Sequence, residues 1–138
     1  AWFGEKSYVY SGIRNKPNPM TNALKELRKK AEDKCAYSFN SLLINRYQNG
    51  NDKVGWHADD EPELENCEVI ASISLGAARE FKLRKKDYDK EKDTVHKILL
   101  EHGSLLIMRA PLQEFWEHEI PKKAIDSPRL NLTFRYVR

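Results

Sequence analysis

Three stretches of this sequence place polar side chains two residues apart: Asn45 and Tyr47 in INRY, His57 and Asp59 in WHADDE, and Arg129, Asn131, Thr133 and Arg135 in RLNLTFR. On a strand that spacing puts each set on one face. His57 and Asp59 form a His-x-Asp pair, which offers two of the three ligands of the facial triad that holds non-haem Fe(II) and leaves coordination positions open. So short a motif recurs by chance, and it needs a second histidine to mean anything. His118, in EFWEHEI, is the best candidate, because a downstream strand folding over could bring it beside His57. His96 lies in a lysine-flanked strand and His102 in an EHGS turn, so both are expected at the surface or in turns.

Iron held by three protein ligands needs a co-substrate that supplies electrons. A dicarboxylate such as 2-oxoglutarate could chelate the metal through its keto acid end. Its far carboxylate would then need a cation, and arginine suits because its planar fork donates two charge-assisted hydrogen bonds. Arg129 and Arg135, six apart on one strand face, can supply this, with Asn45 and Tyr47 as neutral donors opposite. The competing explanation of RLNLTFR is a sheet face turned to water.

The elements that must position these groups follow from periodicity. From Thr21, an expected N-cap, the apolar residues Leu24, Leu27 and Ala31 recur at helical spacing, which predicts one amphipathic helix ending near Lys34. Period-two patterns predict strands over 8–10, 41–47, 53–57, 69–75, 80–84, 95–100, 104–109 and 129–137, with an Asn49-Gly50 turn after the second. Many short strands and one helix predict a mainly β (α+β) fold, a sandwich, barrel or jelly roll with the helix covering an outer face.

Composition agrees with a globular chain. The 138 residues are 40% hydrophobic and 33% charged, enough for one domain over 1–138 and short of two. No apolar run approaches the roughly 20 residues of a membrane span, and an intracellular protein is expected. Two cysteines without a CxxC pairing signal neither a disulfide framework nor a cysteine zinc site. The net charge of +3 is compatible with a polyanionic partner without requiring one. The aromatic-rich start at Trp2 looks like the middle of a structure, so a fragment of a longer chain is expected.

With these residues in view, the sequence resembles the AlkB-like Fe(II)- and 2-oxoglutarate-dependent dioxygenases. AWFGEKSYVYSGI, FNSLLINRY, WHADDEPEL, IASISLGAAREFKLR, HGSLLIM and PRLNLTFR look like the alkylation-repair branch, AlkB homologues 2 and 3. The resemblance implies a double-stranded β-helix with His57, Asp59 and His118 on Fe(II), and 2-oxoglutarate against Asn45, Tyr47, Arg129, Asn131 and Arg135. The implied reaction is demethylation of 1-methyladenine and 3-methylcytosine with O2. 2-Oxoglutarate is decarboxylated to succinate, the N-methyl group is oxidised, and the hydroxymethyl product loses formaldehyde.

The same resemblance implies partners and substrate residues. Asp60 and Glu61 match acidic positions of the damaged-base pocket, which would favour a cationic ring. Tyr8 and Tyr10 align with lid aromatics, and residues 1–17, including Trp2 and Phe3, with part of a nucleotide-recognition lid. Arg79 and the KLRKK run sit where relatives present basic side chains to the strand. The expected partner is single-stranded DNA or RNA, or duplex DNA, bound by a monomer in nucleus or cytoplasm. Relatives carry further sequence before this chain begins, in one branch including an intercalating hairpin. The alternatives are a protein or small-molecule substrate for the same chemistry, and a catalytically silent sandwich that binds nucleic acid through its basic runs.

Overall fold

The computed structural model describes residues 1–4, 8–10, 13–64 and 67–137, with backbone only at 8–10, 13, 15 and 63. Its strands are β1 (Trp2–Gly4), β2 (Tyr8–Tyr10), β3 (Ile13–Asn15), β4 (Ser41–Tyr47), β5 (Val54–His57), β6 (Val69–Gly76), β7 (Arg79–Lys85), β8 (His96–Leu100), β9 (Leu105–Arg109), β10 (Trp116–Ile120) and β11 (Arg129–Arg135), and its helices α1 (Asn22–Cys35) and α2 (Leu112–Phe115). A major sheet has the order β1-β4-β11-β6-β9 and a minor one β5-β10-β7-β8, with β2 and β3 forming a separate hairpin. All these strand pairs are antiparallel. Two facing antiparallel sheets built from non-sequential neighbours are a jelly roll, one of the three arrangements the strand pattern left open and the one the family resemblance implied.

Alternation decides what each sheet face does. On β4, β6 and β11 the outward residues Leu42, Val69, Ala71, Leu132 and Phe134 are buried and pack with Ala31 and Cys35 of α1 and with Phe39. The helix therefore covers the outer face of the major sheet, as its apolar stripe required. Thr21 caps it, accepting from the backbone N–H of Leu24 at 3.3 Å. Thr21→Ala is expected to cost about 1 kcal/mol, read as a lowered urea midpoint with an unchanged slope.

The Asn49-Gly50 turn leaves no room for a side chain. A Cβ on Gly50 would collide with the Lys123 carbonyl, because the turn exchanges hydrogen bonds with Lys123 and Ile125 at 2.9 Å each. Trp2, expected in a lid, is instead a core residue. It is 2% exposed and packs with Leu43, Leu64 and Val137, because β1 pairs with β4 at the edge of the major sheet.

Candidate active site

The inward faces of the two sheets enclose a cavity. The major sheet contributes Asn45, Tyr47, Ser72, Arg129, Asn131, Thr133 and Arg135, and the minor sheet His57, Phe81 and His118. The polar face of RLNLTFR is thus turned into the molecule. Register explains the grouping, since antiparallel pairing sets Tyr47 opposite Arg129 and Asn45 opposite Asn131.

His57 and His118 face each other as register partners of β5 and β10, their ring centroids 4.3 Å apart. Val54 pairs with Ile120 while His57 pairs with His118, so two residues on β5, Gly55 and Trp56, answer one on β10, Glu119. That bulge turns both Val54 and His57 inward, which strict alternation could not do. Asp59 differs from the expectation. It lies beyond the end of β5, so strand spacing does not place it. It still joins the two histidines, and one ligand atom from each of His57, Asp59 and His118 fits within 4.8 Å of the others.

Each of the three is prepared to ligate. His57 Nδ1 lies 2.7 Å from the Gly55 carbonyl, so it carries the proton and donates there, which leaves Nε2 as a lone-pair donor. His118 is 6% exposed and stacks on Phe81. Burial holds its pKa down at about 4, against the opposing pull of Asp59, so the imidazole is neutral. Burial works to raise the Asp59 pKa, but Arg135, then His118 and His57, outweigh it and the carboxyl stays below its ordinary value. The Arg135 guanidinium lies 3.2 Å from Asp59 Oδ2, both side chains almost fully buried.

Across the cavity, Arg129 is 1% exposed and donates from Nη2 to Ser74 Oγ at 2.9 Å, while its Nε and Nη1 are buried with no hydrogen-bond partner. Burial lowers its pKa, Tyr47 opposes the shift and Arg79 adds to it. Among the described residues the buried ionised side chains are Arg79, Arg129 and Arg135 against a single acid, Asp59. A buried excess of guanidinium is costly unless an anion answers it. Neutral oxygens are provided too. Ser72 and Thr133 both donate to Asn131 Oδ1, at 2.7 and 3.3 Å. A nitrogen, nitrogen and oxygen donor set beside a guanidinium with spare donors fits Fe(II) and a dicarboxylate.

Arg79 does not fit its expected role. It is 1% exposed and its guanidinium donates to the carbonyls of Asn49, Asp52 and Pro121, so it ties loops together beneath Tyr47 instead of reaching for a phosphate. Asp60 is exposed and paired with Lys86 at 3.0 Å, lining a second cavity that shares Asp59 and Met108 with the first. Glu61 is half-buried and its Oε2 has no partner. Within KLRKK, Arg84 lies over the Trp56 ring and pairs with Glu117 at 2.7 Å, leaving Lys85 and Lys86 as the exposed cations. The side chains of Tyr8 and Tyr10 fall outside the described residues. His96 packs against Trp116 and His102 accepts from the Gly76 N–H, the surface and turn positions expected of them. Sequence reasoning missed Gln113, whose Oε1 accepts from the Asp59 backbone N–H at 2.9 Å.

A 2OG-Fe(II) oxygenase superfamily model matches residues 2–135. The human alpha-ketoglutarate-dependent dioxygenase alkB homolog 3 is 46% identical over 99% of this chain and 50% of its own length. The bovine DNA oxidative demethylase ALKBH2 is 40% identical over 95% of this chain and 49% of its own. The chain thus spans about half the length of these curated relatives. Of solved structures, that of OsALKBH1 superposes with a TM-score of 0.65 at 25% identity, over 87% of this chain and 67% of that one. No helix among the described residues is long and apolar enough to cross a membrane.

Proposed function

The chain belongs to the 2OG-Fe(II) oxygenase superfamily, and from that membership we propose that it demethylates N-alkylated nucleobases, 1-methyladenine and 3-methylcytosine, in DNA or RNA. The observation that carries the proposal is the meeting of His57, Asp59 and His118 in one cavity with Arg129, whose buried Nε and Nη1 await an acceptor. The naming of a 40% identical relative as a DNA oxidative demethylase supports the substrate class.

In this proposal His57 Nε2, an Asp59 oxygen and a His118 nitrogen hold Fe(II), and Arg129, Asn45, Tyr47, Asn131 and Arg135 receive 2-oxoglutarate. The bound iron, with O2 and 2-oxoglutarate, supplies oxidation of an N-methyl group, with succinate, CO2 and formaldehyde as products. The chain's own contributions are positional and electrostatic. Gly55 fixes the His57 tautomer through Nδ1. Arg135 keeps Asp59 ionised, so the metal meets a carboxylate at neutral pH. Arg129 presents two donors to the far carboxylate and sets the depth at which the dicarboxylate stops.

A methyl group on a Watson–Crick edge is out of reach inside a stacked duplex, so the base is extruded or already single-stranded. Residues 1–17, apart from the core side chain of Trp2, are proposed as part of the lid that receives it, with Tyr8 and Tyr10 as its aromatics. Asp60, which lines the second cavity beside Asp59, and Glu61, whose buried Oε2 has no partner, are both proposed for the damaged-base pocket. Lys85, exposed and only loosely paired with Asp93 at 3.8 Å, replaces Arg79 as the candidate phosphate contact. A monomer acting in nucleus or cytoplasm completes the proposal.

The test is incubation with Fe(II), 2-oxoglutarate and single- or double-stranded oligonucleotides carrying 1-methyladenine. Formaldehyde and restored adenine in equal amounts are expected. Succinate without either, stimulated instead by a protein or small molecule, would sink the nucleic-acid assignment while leaving the chemistry.

A further inference from the structure

We propose that Gln113 is a positioning residue for the metal ligand Asp59, a proposal that rests on the metal site described above. The ladder between β5 and β10 fixes His57 and His118, but Asp59 lies past the last paired residue of β5. Two contacts replace the ladder. Arg135 faces the carboxylate at 3.2 Å, and Gln113 Oε1 accepts from the Asp59 backbone N–H at 2.9 Å.

The glutamine is oriented from its other end as well. Its Nε2 lies 3.5 Å from Sδ of Met108, which is 6% exposed and lines the cavity from β9. The backbone N–H can be answered only by an acceptor, so the amide has one productive orientation. Gln113 sits in α2, which runs directly into β10 and His118. One segment therefore supplies a histidine ligand and grips the loop that carries the carboxylate ligand. Being neutral, the amide adds no charge beside Asp59, and its effect is confined to where the Asp59 backbone sits.

Groups that orient metal ligands change affinity by about 10- to 100-fold when removed. The protein is titrated with Co(II) without oxygen, following the visible absorption of the bound ion, and the melting temperature of the metal-free protein is recorded. Gln113→Leu, which removes the acceptor, is expected to weaken Co(II) binding by about tenfold and to alter the absorption bands. Gln113→Glu, which keeps an acceptor at the same reach, is expected to lose far less Co(II) affinity than Gln113→Leu. Should Gln113→Leu fail to fold, Gln113→Asn, one methylene short, carries the same expectation of weakened binding. Wild-type affinity and bands in the Leu or Asn variant, or equal losses in Leu and Glu, overturn the proposal. A wild-type protein that takes up no Co(II) overturns the metal site itself, which is a separate result.

Discussion

Asp59→Ala is expected to reduce demethylation to background and to remove stoichiometric Fe(II) or Co(II) binding. The substitution takes away the one carboxylate of the donor set, and two imidazoles are left to hold a metal whose charge no protein group then offsets. It also removes the anion facing Arg135 at 3.2 Å, where both side chains are about 95% buried. Breaking a buried pair from one side costs about 3 to 5 kcal/mol, so the metal-free variant should melt well below wild type. Asp59→Asn separates the two losses by keeping the volume and an acceptor while losing the charge. The pH dependence has a definite sign. Asp59 titrates below its ordinary value of 3.8 in the folded state, so its ionised form contributes stability at neutral pH, and that contribution is lost as pH falls from 3.8 through the lowered value. The gap in melting temperature between metal-free wild type and Asp59→Asn should accordingly be widest at neutral pH and close in acid. An Asp59→Ala protein that retains wild-type turnover would show that the ligand assignment is wrong.

Arg129→Met is expected to raise the KM for 2-oxoglutarate by about 10- to 100-fold, with kcat at saturating co-substrate changed far less. A hydrogen bond to a charged group contributes about 1.5 to 3 kcal/mol, and each 1.4 kcal/mol is a factor of ten. Arg129 lies across the cavity from the three candidate ligands, so its loss weakens capture of the dicarboxylate without touching the metal. Succinate formation against 2-oxoglutarate concentration measures the split. Arg129→Lys keeps a charge but not the planar fork, and should recover only part of the affinity. Co(II) affinity, measured beside it, should match wild type. An unchanged KM would mean that the far carboxylate binds elsewhere.

Both expectations use residues that were legible in the sequence for a physical reason. A strand's period of two is rigid, so Arg129, Asn131, Thr133 and Arg135 had to share a face once 129–135 formed a strand, and Leu132 and Phe134 had to share the other. The helix was equally legible, because Thr21 and the run Leu24, Leu27, Ala31 are local signals that need no tertiary partner. β1, β3 and α2 were not: they have three or four residues each, and of the three-residue strands only β2, over 8–10, was read.

What the sequence by itself determined is therefore the chemical inventory and the faces of the long strands: a His-x-Asp pair, a distal histidine and two arginines turned to one side. Only the tertiary structure decided that the polar face of β11 looks inward, that the bulge in β5 aims His57 at His118, and that Asp59, beyond any ladder, is held by Arg135 and Gln113. It also decided that Arg79 is buried beneath Tyr47 and not offered to a phosphate. Local periodicity records which side chains lie together on an element, whereas burial and partnership depend on which other elements arrive from far along the chain, and no local pattern encodes that arrival.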